Sequence, residues 1–178
     1  MEPRKILLIG CGTRRTLDFD ATPHRPYVLT TVDIIDSHKP DVVWDLDVAP
    51  WPLEDNCYDE VHGYEILEHL GQQGHAYSFF ETFAEIYRVL KPGGMMVGSC
   101  PSWDGKWGWG DPSHKRIIND GTLVFLDQNE YKRQVGHTAM TDFRSIWHGD
   151  FEGIEFMYGN GQFFFQLRAI KPSRIQIG

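Results

Sequence analysis

The sequence predicts an α/β domain whose mostly parallel sheet is closed by an antiparallel hairpin at its C-terminal end. Three observations carry this reading. Lys5–Gly10 (KILLIG) is a continuous apolar run ending in glycine, the pattern of a strand buried on both faces. Further strand-like runs follow, separated by a segment of helical period. The chain then finishes on two strand-like runs, Phe151–Tyr158 (FEGIEFMY) and Gln162–Ile170 (QFFFQLRAI), joined by the tight-turn sequence Gly159-Asn160-Gly161.

Each element has its own signal. Tyr27–Asp33 (YVLTTVD) is β-branched and ends in an acid, a second strand. Asp41–Leu46 (DVVWDL) reads as a third and Tyr58–Tyr64 (YDEVHGY) as a fourth. Met95–Cys100 (MMVGSC) is a fifth, entered through the turn Lys91-Pro92-Gly93-Gly94. With the hairpin, this makes seven strands. Between the fourth and fifth, Phe79, Phe80, Phe83, Ile86, Tyr87 and Leu90 recur at helical spacing, and a shorter helix is expected over Ile66–Leu70. Thr13–Pro26 holds Pro23 and Pro26 and has no helical period, so a helix after the first strand is expected to be short or absent. Pro101–Pro112, rich in Gly and Trp, is expected to be a loop over the site.

Bulk properties bound the function. The 178 residues, 41% of them hydrophobic and 24% charged, suit one domain spanning 1–178. No apolar run reaches the ~20 residues of a membrane span, and Met1–Lys5 runs straight into a strand pattern, so neither membrane nor signal peptide is expected. Cys11, Cys57 and Cys100 form no CxxC pair, which points to a reducing cytoplasm. The net charge of -8 argues against a phosphate-backbone partner.

Chemistry gathers where strands end. Gly10-Cys11-Gly12 lets backbone approach a ligand at the end of the first strand. The last position of a GxGxxG is Arg15, which disfavours a dinucleotide. Asp33 can accept from both hydroxyls of a ribose. Glu65, Glu68 and His69 fall on one face of a helix, and with His114 would offer a divalent-metal half-site; they could equally pair or cap. His114 is placed to act as a general base or to anchor its loop. Trp103, Trp107 and Trp109 could stack on a flat acceptor or pack the loop.

Taken in order, ILLIGCG, VDI, WDL, PLEDNCYDEVHGYEILEHL and YRVLKPGG resemble the motifs of class I S-adenosylmethionine-dependent methyltransferases, from about Lys5 to Cys100. The compactness is similar to small phage-type members. The resemblance implies a Rossmann-like three-layer sandwich and S-adenosylmethionine as cofactor, with S-adenosylhomocysteine as product. It implies a cofactor set of Gly10 and Gly12 at the methionine, Asp33 at the ribose, Asp45 and Leu46 at the adenine, and Tyr64 at the sulfonium side, with Cys11 and Ile34 beside them. The Glu65–His69 stretch also resembles the metal site of magnesium-dependent O-methyltransferases, a minority reading beside a metal-free site.

Two departures matter. Arg14 stands where the family has a third glycine, and the helix that would follow is weak. Arg14 or Arg15 is expected to replace the helix N-terminus at the cofactor carboxylate; the alternative is a non-catalytic interaction module. The motifs of amino-directed and cytosine-C5 DNA enzymes are missing, so a small-molecule or protein acceptor is expected, with His114 and Glu65 as catalytic candidates. The sequence starts almost at its first strand, so acceptor recognition is assigned to an insertion over residues 101–150, or to a homodimer mate or partner subunit.

Overall fold

The computed structural model describes residues 2–20 and 24–175. Seven strands form one sheet: β1 (Arg4–Ile9), β2 (Tyr27–Asp33), β3 (Val42–Val43), β4 (Tyr58–Tyr64), β5 (Leu90–Pro101), β6 (Phe151–Gly159) and β7 (Gln162–Ala169). Their spatial order is β3-β2-β1-β4-β5-β7-β6. The first five pair in parallel, and β7 runs antiparallel to both β5 and β6. This is the Rossmann-like sheet with the expected hairpin.

Side chains alternate across the sheet, so each strand serves two environments. Leu7, Ile9, Val61, Met96, Cys100, Phe163, Phe165 and Leu167 face a single large core. Over it lies α1 (Ala76–Val89), contributing Phe80, Phe83, Ile86 and Val89. The Nδ1 of His75 caps α1 by accepting from the Ser78 N–H at 3.2 Å. Two further helices, α3 (Asp120–Leu123) and α4 (Gln128–Gln134), add Leu123 and Tyr131 to the same core. Trp147 lies 1% exposed beneath Phe80 and Phe151, both stacked on its ring.

The opposite face is covered differently. Among the described residues no helix lies between β1 and β2; the stretch 11–20 crosses this face as coil, as the missing helical period predicts. Pro23 lies outside the described residues. Here β1 and β4 present polar groups. Arg4, 2% exposed, donates to Glu60 Oε1 at 2.6 Å and pairs with Asp20 at 2.9 Å. Glu60 Oε2 meets His62 Nε2 at 2.8 Å, and His62 Nδ1 meets the Tyr64 hydroxyl at 2.6 Å. The carboxylate can only accept, so Nε2 carries the proton and Nδ1 accepts from tyrosine.

Several expected elements differ in extent. The third strand spans only Val42–Val43 rather than Asp41–Leu46: Trp44 still donates to Asp33 O at 3.0 Å, but Asp45 O then accepts from Val48 and the chain turns. The expected helix over Ile66–Leu70 is one 3-10 turn, Leu67–His69. The fifth strand begins at Leu90, so the Lys91–Gly94 turn signal falls inside it. The expected loop after β5 holds a short helix, α2 (Lys106–Gly110). Among the described residues no helix is long and apolar enough to cross a membrane.

Candidate active site

The ends of β1, β2, β3 and β4 bring most of the cofactor candidates together. Gly10 and Gly12 both take left-handed backbone, φ +59° and +51°, so the chain reverses tightly after β1. Their reasons for lacking a side chain differ. A Cβ on Gly10 would stand 2.4 Å from Ile66, whereas one on Gly12 would meet nothing within 4 Å. Gly10 is therefore fixed by packing, whereas Gly12 faces open space. Cys11, between them, is buried with Leu8 and Tyr64.

Asp33 is 7% exposed and largely engaged. Its Oδ2 accepts from Gly12 N–H at 2.7 Å, and its Oδ1 accepts from Ile35 N–H at 2.8 Å and faces His38 Nδ1 at 3.3 Å. A carboxylate has about four acceptor positions, so about one remains. Beside it, Ile34, Val43, Trp44, Asp45 and Val48 line a cavity of about 240 Å³. Ile34, Val43 and Val48 are exposed there, a slot with apolar walls and the Asp45 carboxylate at hand. The Leu46 side chain, by contrast, is packed in the core, which leaves only its backbone toward a ligand.

Neither arginine of the loop is idle. Arg15 donates to Gly12 O at 3.2 Å, Arg14 O at 2.6 Å and Lys39 O at 2.7 Å, and to His38 O. It ties the loop after β1 to the loop after β2. Arg14 pairs with Asp18 at 2.7 Å and lies 5.3 Å over the ring of Tyr64. Tyr64 is buried beneath it, its hydroxyl accepting from Phe19 N–H at 3.3 Å, and burial pushes its phenol up to about 12.

A second cavity, about 430 Å³, opens beside this region, lined by Glu65, Glu68, His69, Trp107, Asp111 and His114, with Asn160–Gln162 from the hairpin turn. Glu65 stands in left-handed backbone, φ +53°, rare for a side chain of its size and found where strain serves a site. Its Oε1 accepts from the Ser99 hydroxyl at 2.9 Å, and burial raises its carboxyl. Glu68 is 2% exposed and neither oxygen has a hydrogen bond among the described residues; burial lifts it to about 7. Ligand atoms of Glu68, His69 and His114 fall within 4.8 Å of one another. Glu65 stays outside this group: the 3-10 turn begins after it, so the helical face expected to carry Glu65 with Glu68 and His69 is not formed.

The two imidazoles are oriented alike. His69 Nδ1 lies 3.3 Å from Ser113 O, and His114 Nδ1 lies 3.2 Å from Gly108 O. A carbonyl only accepts, so both Nδ1 atoms carry protons, and in a neutral ring the lone pair then sits on Nε2. Burial lowers His69 further, favouring its neutral form. Trp103, Trp107 and Trp109 are each more than half exposed, and Trp107 lines the cavity. The sequence reading missed the hairpin turn as a wall, because it lies far along the chain. It also missed the Glu60–His62–Tyr64 relay, although two-residue spacing on a strand already puts these groups on one face.

A family model described as a methyltransferase domain matches residues 7–98. The chain is 29% identical over 133 residues to a "probable S-adenosylmethionine-dependent methyltransferase" of Mycolicibacterium smegmatis, covering 69% of this chain and 49% of that protein. It is 30% identical over 107 residues to malto-oligosyltrehalose trehalohydrolase of Brevibacterium helvolum, covering 60% of this chain and 18% of that protein. The chain thus spans about half, or less, of the length of these curated relatives. Among solved structures, a methyltransferase from Archaeoglobus fulgidus is similar with a TM-score of 0.60 at 18% identity, covering 93% of this chain and 86% of that one. The 1,6-didemethyltoxoflavin-N1-methyltransferase of Burkholderia thailandensis, solved with bound 1,6-didemethyltoxoflavin and S-adenosylhomocysteine, is similar at TM-score 0.57 and 14% identity, covering 95% and 72%. At these identities the structural likeness is one of fold.

Proposed function

This chain belongs to the methyltransferase domain family of S-adenosylmethionine-dependent class I proteins, and from that premise we propose that it methylates a small-molecule acceptor seated in the cavity beside Glu65, Glu68 and His114. The observation that carries this is the pairing of two cavities at the strand ends, an apolar slot beside Asp33 and Asp45 and a polar pocket beside Glu65. The residues fit the cofactor. Gly12 leaves room for close backbone approach, Asp33 keeps an acceptor position for ribose, and the slot with Asp45 suits adenine. The Arg14 guanidinium is the candidate partner of the methionine carboxylate. Its contacts leave Gly12 open, so the non-catalytic alternative gains nothing from the geometry.

S-adenosylmethionine supplies a methyl group already activated on a cationic sulfonium. What remains for the protein is to align the acceptor and to take its proton where one must leave. In its neutral form His114 would offer its Nε2 lone pair to this task, because Gly108 O holds its Nδ1 proton. Glu65, raised by burial and held by Ser99, is a stronger base than an exposed carboxylate. Calorimetry with S-adenosylmethionine and S-adenosylhomocysteine, followed by a panel of single-ring phenols and nitrogen heterocycles scored for S-adenosylhomocysteine release, tests the reading. Asp33→Ala is expected to weaken S-adenosylhomocysteine binding by about 1.5–3 kcal/mol. Unchanged affinity in the folded variant removes the ribose role, and no cofactor binding by the parent removes the whole reading.

A second reading, metal-assisted transfer, is favoured by one observation. A buried carboxylate and two imidazoles bring their ligand atoms within 4.8 Å of one another. Glu68, His69 and His114 would hold a magnesium or manganese ion, and the tautomers set by Ser113 O and Gly108 O suit ligation. Chelator should then abolish activity and either ion restore it; full activity in chelator would end this reading.

A further inference from the structure

A third cavity, about 200 Å³, lies between the first turn of α1 and the segment 116–143. Phe79, Phe80, Ile117, Phe125 and Phe143 wall it, and Arg116 lines it. It shares no lining residue with the acceptor pocket. The backbone lies between them: the N–H groups of Lys115 and Arg116 both donate to Glu68 O, at 2.7 and 3.2 Å.

Arg116 is the unusual member. It is 5% exposed, and its guanidinium lies 5.3 Å over the ring of Phe79. One nitrogen, Nη2, donates to Gln72 O at 2.9 Å and Ser78 Oγ at 3.0 Å, both neutral acceptors. Its Nε is buried with no hydrogen-bond partner. No carboxylate pairs with it among the described residues. Asp47, the acid whose charge reaches it, is already held by Lys115 Nζ at 2.8 Å and by Gly71 N–H at 2.7 Å. A buried cation without a bonded anion is an expensive arrangement. Burial accordingly pushes this guanidinium below its ordinary value. The positive end of α1, 14 residues long, points the same way, since Gly74, His75 and Ala76 also line the cavity.

We propose that this cavity binds a small aromatic carboxylate, with its carboxylate on Arg116 and the N-terminus of α1 and its ring among the phenylalanines. The walls favour a ring, because aromatic pairs gain from edge and offset contacts beyond their buried area. The volume limits the ligand to about one ring, since a 150 Å³ apolar cavity holds benzene. The site is separate from methyl transfer and stands whether or not the cofactor reading does.

Benzoate is the probe, titrated into the full chain by calorimetry and by thermal shift, with benzamide as the neutral isostere and inorganic phosphate as the anion without a ring. Benzoate should bind saturably and raise the melting temperature, with benzamide and phosphate each weaker by about tenfold or more. Arg116→Gln should weaken benzoate by about tenfold or more and leave S-adenosylhomocysteine affinity within about twofold. No saturable benzoate binding overturns the site. Benzamide or phosphate binding as well as benzoate, or unchanged affinity in the folded R116Q protein, overturns the charge-and-ring recognition. Should R116Q not fold, Ile117→Trp fills the cavity and must abolish benzoate binding; retained binding overturns the proposal.

Discussion

The two faces of the sheet are held by different physics. Under α1, the face is a stack of rings: Phe80, Trp147 and Phe151 lie one upon another, with Phe83 and Tyr87 edge-on. Its stabilisation scales with area removed from water and depends little on pH or salt. The other face is closed by coil, and its order comes from a chain of directed bonds from Asp20 through Arg4, Glu60 and His62 to Tyr64. Such a network stabilises only while every member is present. A helix covers a sheet with repeated apolar contacts, whereas a coil of ten residues has few to offer and must be pinned at named atoms.

The comparison can be tested by breaking each face in turn. Trp147→Ala should cost the most, about 3–5 kcal/mol, because a fully buried ring and its Nε1 bond to Leu126 O are lost together. Urea unfolding should show this loss nearly constant from pH 5 to pH 8; strong pH dependence would mean the aromatic face is not what it resembles. Arg4→Met should cost about 3 kcal/mol near neutral pH, since it leaves Glu60 and Asp20 without their buried cation. That loss has a sign in pH. Burial alone would raise Glu60, but the bonds from His62 and Arg4 outweigh it and hold it below the usual carboxylate range. A depressed carboxyl contributes stability above its unfolded pKa and loses it as pH falls through the folded value. The penalty of Arg4→Met should therefore shrink in acid, and an acid-independent penalty would contradict the network.

Glu68 gives a contrasting case, a buried carboxyl with, among the described residues, no charged partner and only the Cys100 thiol beside it. Its carboxyl is raised to about 7, so its contribution is full below the unfolded pKa and lost as pH rises through 7. Between pH 5 and pH 8 in metal-free buffer, the parent should lose about 2 kcal/mol that Glu68→Gln does not lose; matching pH profiles would remove the buried charge from consideration. The smallest effect belongs to the coil itself. Arg14→Ala should weaken S-adenosylhomocysteine binding by about 0.5–1 kcal/mol at low salt, and by less at high salt, because the guanidinium is partly exposed. Equal affinity at both salt levels would leave Arg14 without a ligand role.

How much was legible follows the same division. β1, β2 and β4 lie within a residue of their apolar or β-branched runs, because burial on a sheet imprints itself on local sequence. The hairpin was readable from its Gly-Asn-Gly turn and its alternation. β3 was not, since Trp44–Leu46 look like strand but turn to follow bonds made by Asp33 and Val48. At the site, Gly12, Asp33, Ile34 and Asp45 do gather at the strand ends, because strand order alone puts them there. The unusual backbone at Glu65, its separation from Glu68, and the solitary charge of Arg116 carry no local signature. Each depends on what arrives from elsewhere: Ser99 from β5, and Gln72 and Ser78 around α1.

The strand order has one more consequence, for assembly rather than for chemistry. β7 is the last strand along the chain, yet it lies inside the sheet, between β5 and β6. It brings Phe163, Phe165, Leu167 and Ala169 to the core, each at most 1% exposed. While the chain emerges from a ribosome, β5 is therefore an open edge until residue 169 is available, and β6 has no neighbour to join. The strand order favours a hairpin that forms first and docks as a unit. All residues through β7 must be synthesised before β5 gains its second neighbour, so a chain stopped short of residue 162 presents an unpaired apolar strand.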